Sequence, residues 1–258
     1  MSPLSAKGEA AQPILFEECY AMKESAEFIQ KVKSSTQVLS EGNKEMAPFG
    51  VHLFVMVHGF QGNHNDLRLL KNQIALLYPT SMFLLSNVNE DRTEEDIMEM
   101  GERVAKEVKQ YVIEFCPAST LRRISFVGFS LGGLIARAAF PHLECYKSKF
   151  YTFLSLSSPH LGYMYNSNKL FDTGMWFLRK WKKSRSLAQL SMSDGQGVED
   201  STLYRLSSVE GLAWFQNIVL VCSNQDQYVP FDSARIQICK EALTDINGLD
   251  GNRGNHYI

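Results

Sequence analysis

No stretch of this sequence is apolar for long enough to span a bilayer, which argues against a membrane-spanning helix. No two cysteines stand at CxxC spacing. The five that occur, Cys19, Cys116, Cys145, Cys222 and Cys239, are scattered and odd in number. That argues against both a disulfide framework and a zinc site, and it fits a reducing, cytoplasmic setting. Excess positive charge is lacking too: the net charge of −2 gives no electrostatic footprint for nucleic acid. The first twenty residues lack a basic stretch followed by an apolar run, so no secretory signal is expected. No metal or cofactor motif occurs, and none is expected.

What is there begins near residue 49. Residues 1–48 form a polar leader with a helical pattern in "FEECYAMKESAEFIQKVKSS", and residues 49–258 read as one domain. In that domain apolar runs of strand length alternate with helical patterns. The strands are "VHLFVMV", "SMFLLSNV", "RRISFVGF", "KFYTFLSL" and "NIVLVC". Apolar runs without strict alternation imply strands covered on both faces, as in a mostly parallel sheet flanked by helices. Between the fourth and fifth strands an insertion of about 163–211 is too long for a simple connection and predicts a helical cap. Its stretch 169–186 joins Trp176, Phe177 and Trp181 to a local charge of +5, from Lys169, Arg179, Lys180, Lys182, Lys183 and Arg185 against Asp172. Such a stretch can form an interfacial lid that meets anionic lipid, or a cap helix whose aromatics pack on the core.

Three short elements point to one chemistry. Ser130 sits in Gly-x-Ser-x-Gly between a predicted strand and helix, where a sharp turn would project its hydroxyl from the top of the sheet. An incidental serine in a glycine-rich turn is the alternative. "HGFQG", His58 to Gly62, ends the first strand; there the Phe60 N–H, with that of Leu131, would form an oxyanion hole. His58 shares that loop and reads as its orienting residue. Asp226, in "SNQDQYVP" just past the fifth strand, is the candidate acid, better placed than Asp194, Asp200 or Asp232, although aspartates also form turns there.

On these residues the sequence resembles the eukaryotic serine esterases, a lipase-like branch of the α/β-hydrolase superfamily. "VHGFQGNHNDLRLLK", "ISFVGFSLGGLIARA", "FLSLSSPHLG", "FDTGMWFLRKWKKSRSLAQL" and "YVPFDSARIQICKEAL" carry the likeness, from about Val51 to Leu243. The resemblance implies an α/β-hydrolase fold, hydrolysis of carboxylic or lipid esters through an acyl-enzyme, and a part in cellular lipid metabolism. Many relatives have histidine before the serine, where this chain has Phe129.

The order Ser, Asp, His expected of this fold leaves His256 as the one histidine after Asp226. It follows a predicted helix, "DSARIQICKEALTDI", and a glycine- and asparagine-rich tail rather than a strand. His160, in "SSPHLG", precedes the acid and reads as a pocket-shaping residue. The expectation is therefore a chain that stops short of a final strand, histidine loop and closing helix, and that turns over little without them. The competing reading is a catalytically inactive, hydrolase-like module that binds lipid or protein. Acyl transfer to an acceptor other than water is a third.

Overall fold

The computed structural model describes residues 50–116, 120–163, 184–240 and 242–243. All of them fall in the unit Met46–Ile258. The leader, Trp176, Phe177, Trp181 and the lysines beside them, and His256 lie outside the described residues.

Five strands form one sheet: β1 (Val51–Val57), β2 (Met82–Leu85), β3 (Leu121–Phe129), β4 (Phe150–Leu156) and β5 (Asn217–Val221), in the order β2-β1-β3-β4-β5. Every neighbouring pair is parallel. All five correspond to apolar runs read from the sequence. Helices connect them: α1 (Arg68–Leu77), α2 (Ile97–Phe115), α3 (Leu131–Ala139), α4 (Arg185–Leu190), α5 (Thr202–Ser207) and, after β5, α6 (Phe231–Arg235). The 232–246 helix expected from the sequence is broken: α6 ends at Arg235, and Ile236 takes a left-handed φ of 55°. A β-branched residue in that conformation ends a helix rather than continuing it.

The two faces of the sheet are unequally covered. On one face α2 and α3 pack over Leu53, Val55, Ile124 and Phe126, with Ile97, Met100, Val104, Val108 and Val112 supplying the helical stripe. At its centre Phe126, Phe140, Phe150, Phe153 and Phe215 stack, tilt or meet edge to face, Phe150 and Phe215 stacked at 4.7 Å between ring centroids. Each ring so buried contributes about 1.5–3 kcal/mol by the area it removes from water. The other face buries only Met56, Leu67 and Val127 among the described residues, with Phe54, Phe83, Leu154 and Leu156 half-exposed around them.

Of the insertion, residues 184–211 are described. Their helices α4 and α5 bury Leu187, Leu190, Leu203 and Leu206 in the main core. Gln189 caps the N-terminus of α2: the Ile97 N–H donates to its Oε1 at 2.9 Å. This limb of the insertion is thus part of the domain's packing.

Candidate active site

In a parallel sheet all strands end on one edge, and loops gathered there can pool their side chains. Here β3 delivers Ser130 to that edge and α3 begins at Leu131. Ser130 has φ 52° and ψ −124°, a left-handed backbone that costs an L-residue of order 1–3 kcal/mol. The surroundings impose it. Ser130 N–H donates to Leu156 O at 2.8 Å, and its own carbonyl accepts from Gly133 N–H at 3.1 Å. A Cβ on Gly132 would overlap the Val57 carbonyl oxygen, and one on Gly128 would overlap the Gly133 backbone. The glycines therefore let the turn close against β1, and the half-buried serine stands above it.

The loop after β1 lies against this turn. A Cβ added at Gly59 would sit 3.0 Å from Ser130 Cβ and 3.1 Å from the Phe129 carbonyl oxygen. Leu131, buried at the first position of α3, has an N–H with no acceptor within its helix, at the electropositive end of the helix dipole. Phe60 follows Gly59 and is half-buried. The Gly59 carbonyl is held by the Gly62 N–H at 3.1 Å and by His58 Nδ1–H at 3.0 Å. Because a peptide unit is planar and trans, fixing that oxygen fixes the opposite direction of the Phe60 N–H.

Asp226 lies beyond β5, half-buried in a loop whose neighbours Ser223, Asn224, Gln225, Gln227 and Tyr228 are exposed. One oxygen, Oδ1, accepts the N–H groups of Tyr228 at 2.8 Å and Val229 at 3.0 Å. Burial first, and then the charge of Asp226, push the Tyr163 phenol pKa up. β4 separates β3 from β5, so the ends of the strands that lead to Ser130 and Asp226 stand about 10 Å apart across the sheet.

Four of the described histidines are committed elsewhere. His52 bonds Ser125 Oγ at 2.8 Å, and His58 donates to Gly59 O. The buried His160 accepts from Arg137 at Nδ1 (3.4 Å) and so donates Nε2–H to Ser155 Oγ (2.8 Å). Burial first, and then the Arg137 guanidinium, hold the His160 pKa down to about 3, so its ring is neutral and both nitrogens are engaged. His64 bonds Glu90 through Nδ1 at 2.5 Å and through its backbone N–H at 2.6 Å. His142 precedes β4 and so lies toward the opposite edge of the sheet. His256, the base candidate from chain order, is outside the described residues.

Sequence reasoning missed the restraints on the loop after β1. Besides His64 and Glu90, Gln61 N–H donates to Thr93 Oγ1 and Gln61 Nε2 to Glu94 Oε1, both at 2.8 Å. These partners are about thirty residues apart and belong to no motif, so no local pattern signals them.

The chain has recognisable relatives. Over 123 residues it is 34% identical to "Putative lipase ROG1" and 30% identical to "Putative lipase YDL109C", both of Saccharomyces cerevisiae. The matched stretch covers 43% of this chain but only 17% and 18% of those two proteins. Among solved structures it is similar to Bacillus licheniformis lipase BlEst2 in mature form, at 14% identity and a TM-score of 0.47, covering 69% of this chain and 67% of that one. It is also similar to Aspergillus fumigatus lipase B, at 16% identity and a TM-score of 0.46, covering 79% and 48%. The strand order and the serine turn, rather than likeness at that level, carry the α/β-hydrolase fold. Residues 48–241, most of the chain, match one family throughout: the chain belongs to the family described as "Putative serine esterase (DUF676)".

Proposed function

We propose that this chain cleaves hydrophobic carboxylic esters through an acyl-enzyme on Ser130. The observation that carries the reading is the strained Ser130 turn at the end of β3, with the Gly59 loop against it and Leu131 opening a helix beside it. Ser130 Oγ attacks the ester carbonyl as a base takes its proton, and the Phe60 and Leu131 N–H groups receive the charge that develops on oxygen. The alcohol leaves with that proton, and water then releases the acid by the same route. Asp226 orients the histidine; in this sequence His256 is the histidine that chain order supplies.

The test is hydrolysis of p-nitrophenyl esters of increasing acyl length, by the wild type and by Ser130→Ala and His256→Ala. Slow turnover, in keeping with the setting of His256, that rises with acyl length and is lost in Ser130→Ala is the expected result. Equal turnover by Ser130→Ala would end the reading. Loss in His256→Ala would identify the base; retention would place it elsewhere.

Peripheral contact with anionic membranes, through Trp176, Phe177, Trp181 and the basic residues around them, is a finer part of the proposal. Vesicles containing anionic lipid should bind the protein more tightly than neutral ones, and Lys180→Gln with Lys182→Gln and Lys183→Gln should remove the difference. Binding indifferent to lipid charge would exclude it. Cytoplasmic residence and a role in lipid metabolism, suggested by the cysteine pattern and the family likeness, are checked by cell fractionation and by lipid analysis after the gene is silenced. Recovery with secreted proteins, or an unchanged lipid profile, would count against them.

A further inference from the structure

We propose that Thr93 is a positioning residue for the oxyanion loop and that it links this loop to the insertion limb Ser184–Gln189. The inference rests on the esterase reading above, because it concerns the direction of the Phe60 N–H.

Phe60 lies between two peptide planes. The plane before it is held at the Gly59 carbonyl by Gly62 N–H and His58 Nδ1–H. The plane after it carries the Gln61 N–H, which donates to Thr93 Oγ1 at 2.8 Å. Gln61 has φ 53°, a conformation that a non-glycine residue keeps only when its surroundings hold it there. Thr93 is part of that surrounding structure, and it is 2% exposed.

The backbone of Thr93 faces the other way. Its carbonyl accepts from Ser186 Oγ at 2.7 Å, and Ser186 is fully buried. The next carbonyl, of Glu94, accepts from Arg185 N–H at 2.8 Å and Ser186 N–H at 3.3 Å. Two residues on, Asp96 Oδ2 accepts from Gln189 Nε2 at 2.6 Å. The limb is therefore bonded along the loop that holds Gln61. Thr93 and its neighbour Glu94 both carry the two connections; Thr93 is the one that holds the Gln61 backbone N–H, through a buried side chain, while its carbonyl meets the insertion limb.

Thr93→Val removes the acceptor at nearly constant volume, and Thr93→Ser keeps it. Misplacing one oxyanion donor should lower kcat by about 10- to 100-fold, less than losing the donor outright, with KM within about threefold. The experiment measures kcat, KM and thermal midpoint on one p-nitrophenyl ester for the full chain, Thr93→Val, Thr93→Ser, Ser186→Ala and Ser130→Ala. Support is a kcat loss of at least about tenfold in Thr93→Val, recovery in Thr93→Ser, and a smaller kcat loss in Ser186→Ala. A kcat within about twofold of wild type in Thr93→Val overturns the proposal. So does a loss that Thr93→Ser fails to recover, since that marks a packing role. If Thr93→Val does not fold, Ser186→Ala decides, and wild-type kcat there overturns the link. Unchanged turnover in Ser130→Ala would instead overturn the esterase reading, and this proposal with it.

Discussion

The Ser130 side and the Asp226 side of the candidate site are built differently. On the serine side β3 buries an unbroken run from Ile124 to Gly128, and backbone atoms of β1, β3 and α3 leave the turn no freedom. On the acid side β5 has no fully buried residue and pairs only with β4 among the described strands. Asp226 is fixed there by its own short turn, through the Tyr228 and Val229 N–H groups. The candidate nucleophile's geometry is thus imposed by the core, whereas the candidate acid's is imposed by local hydrogen bonds. The first should resist change until the fold fails; the second should be separable from the fold.

Asp226→Asn tests that separation most severely. Asparagine keeps an oxygen for both N–H groups but loses the charge that would orient a histidine. We expect kcat to fall by about 10⁴-fold with stability changed by less than about 1 kcal/mol, whereas Asp226→Ala should also destabilise by about 1–2 kcal/mol. A kcat within about tenfold of wild type in Asp226→Asn would leave Asp226 as a turn former alone.

The next contrast uses two residues in register, Phe153 on β4 and Ile218 on β5. Phe153 is fully buried and Ile218 is 47% exposed. Phe153→Ala should cost about 3–5 kcal/mol in denaturant unfolding and Ile218→Ala less than about 1.5 kcal/mol. Comparable losses would mean that β5 is as well packed as the centre of the sheet.

The polar cluster beneath the serine turn gives a pH signature. The His160 pKa is about 3 in the fold, below its ordinary 6.5, so the unfolded chain takes up a proton first. Its contribution is complete above about pH 6.5 and is lost as pH falls toward 3, at about 1.4 kcal/mol per pH unit. His52, held down to about 4 by burial and then by Arg123, adds to the slope in the same direction. His160→Gln should flatten the dependence of unfolding free energy on pH between about 6 and 4.5. An unchanged slope would show that His160 is protonated in the fold.

The smallest effect concerns the insertion limb. Arg185 is 63% exposed and pairs with Asp96 at 3.1 Å and Glu99 at 3.3 Å. Arg185→Ala should cost less than about 1 kcal/mol, and salt should erase the difference. A larger, salt-insensitive loss would show that the limb depends on this pair rather than on buried Ser186 and Gln189.

Much of the fold was legible because the strands are continuous apolar runs, although among the described residues one face of the sheet is only half-covered rather than buried like the other; the Ser130 turn was legible because it needs glycines at fixed offsets. The position of Asp226 in a turn after β5 was legible too. The break at Ile236 could not, since the run "DSARIQIC" carries no glycine or proline to announce it. Nor could the hold of Thr93 on Gln61, which arises only once two loops meet at the end of the sheet.

The central claim is that Ser130 is the nucleophile, and covalent trapping tests it most directly. The protein would be incubated with a fluorophosphonate carrying an alkyl chain, digested, and its modified peptide sequenced by mass spectrometry. One adduct is expected, on Ser130, absent from Ser130→Ala and slower to form in Asp226→Asn. Labelling of another residue, or none while ester hydrolysis proceeds, would contradict it.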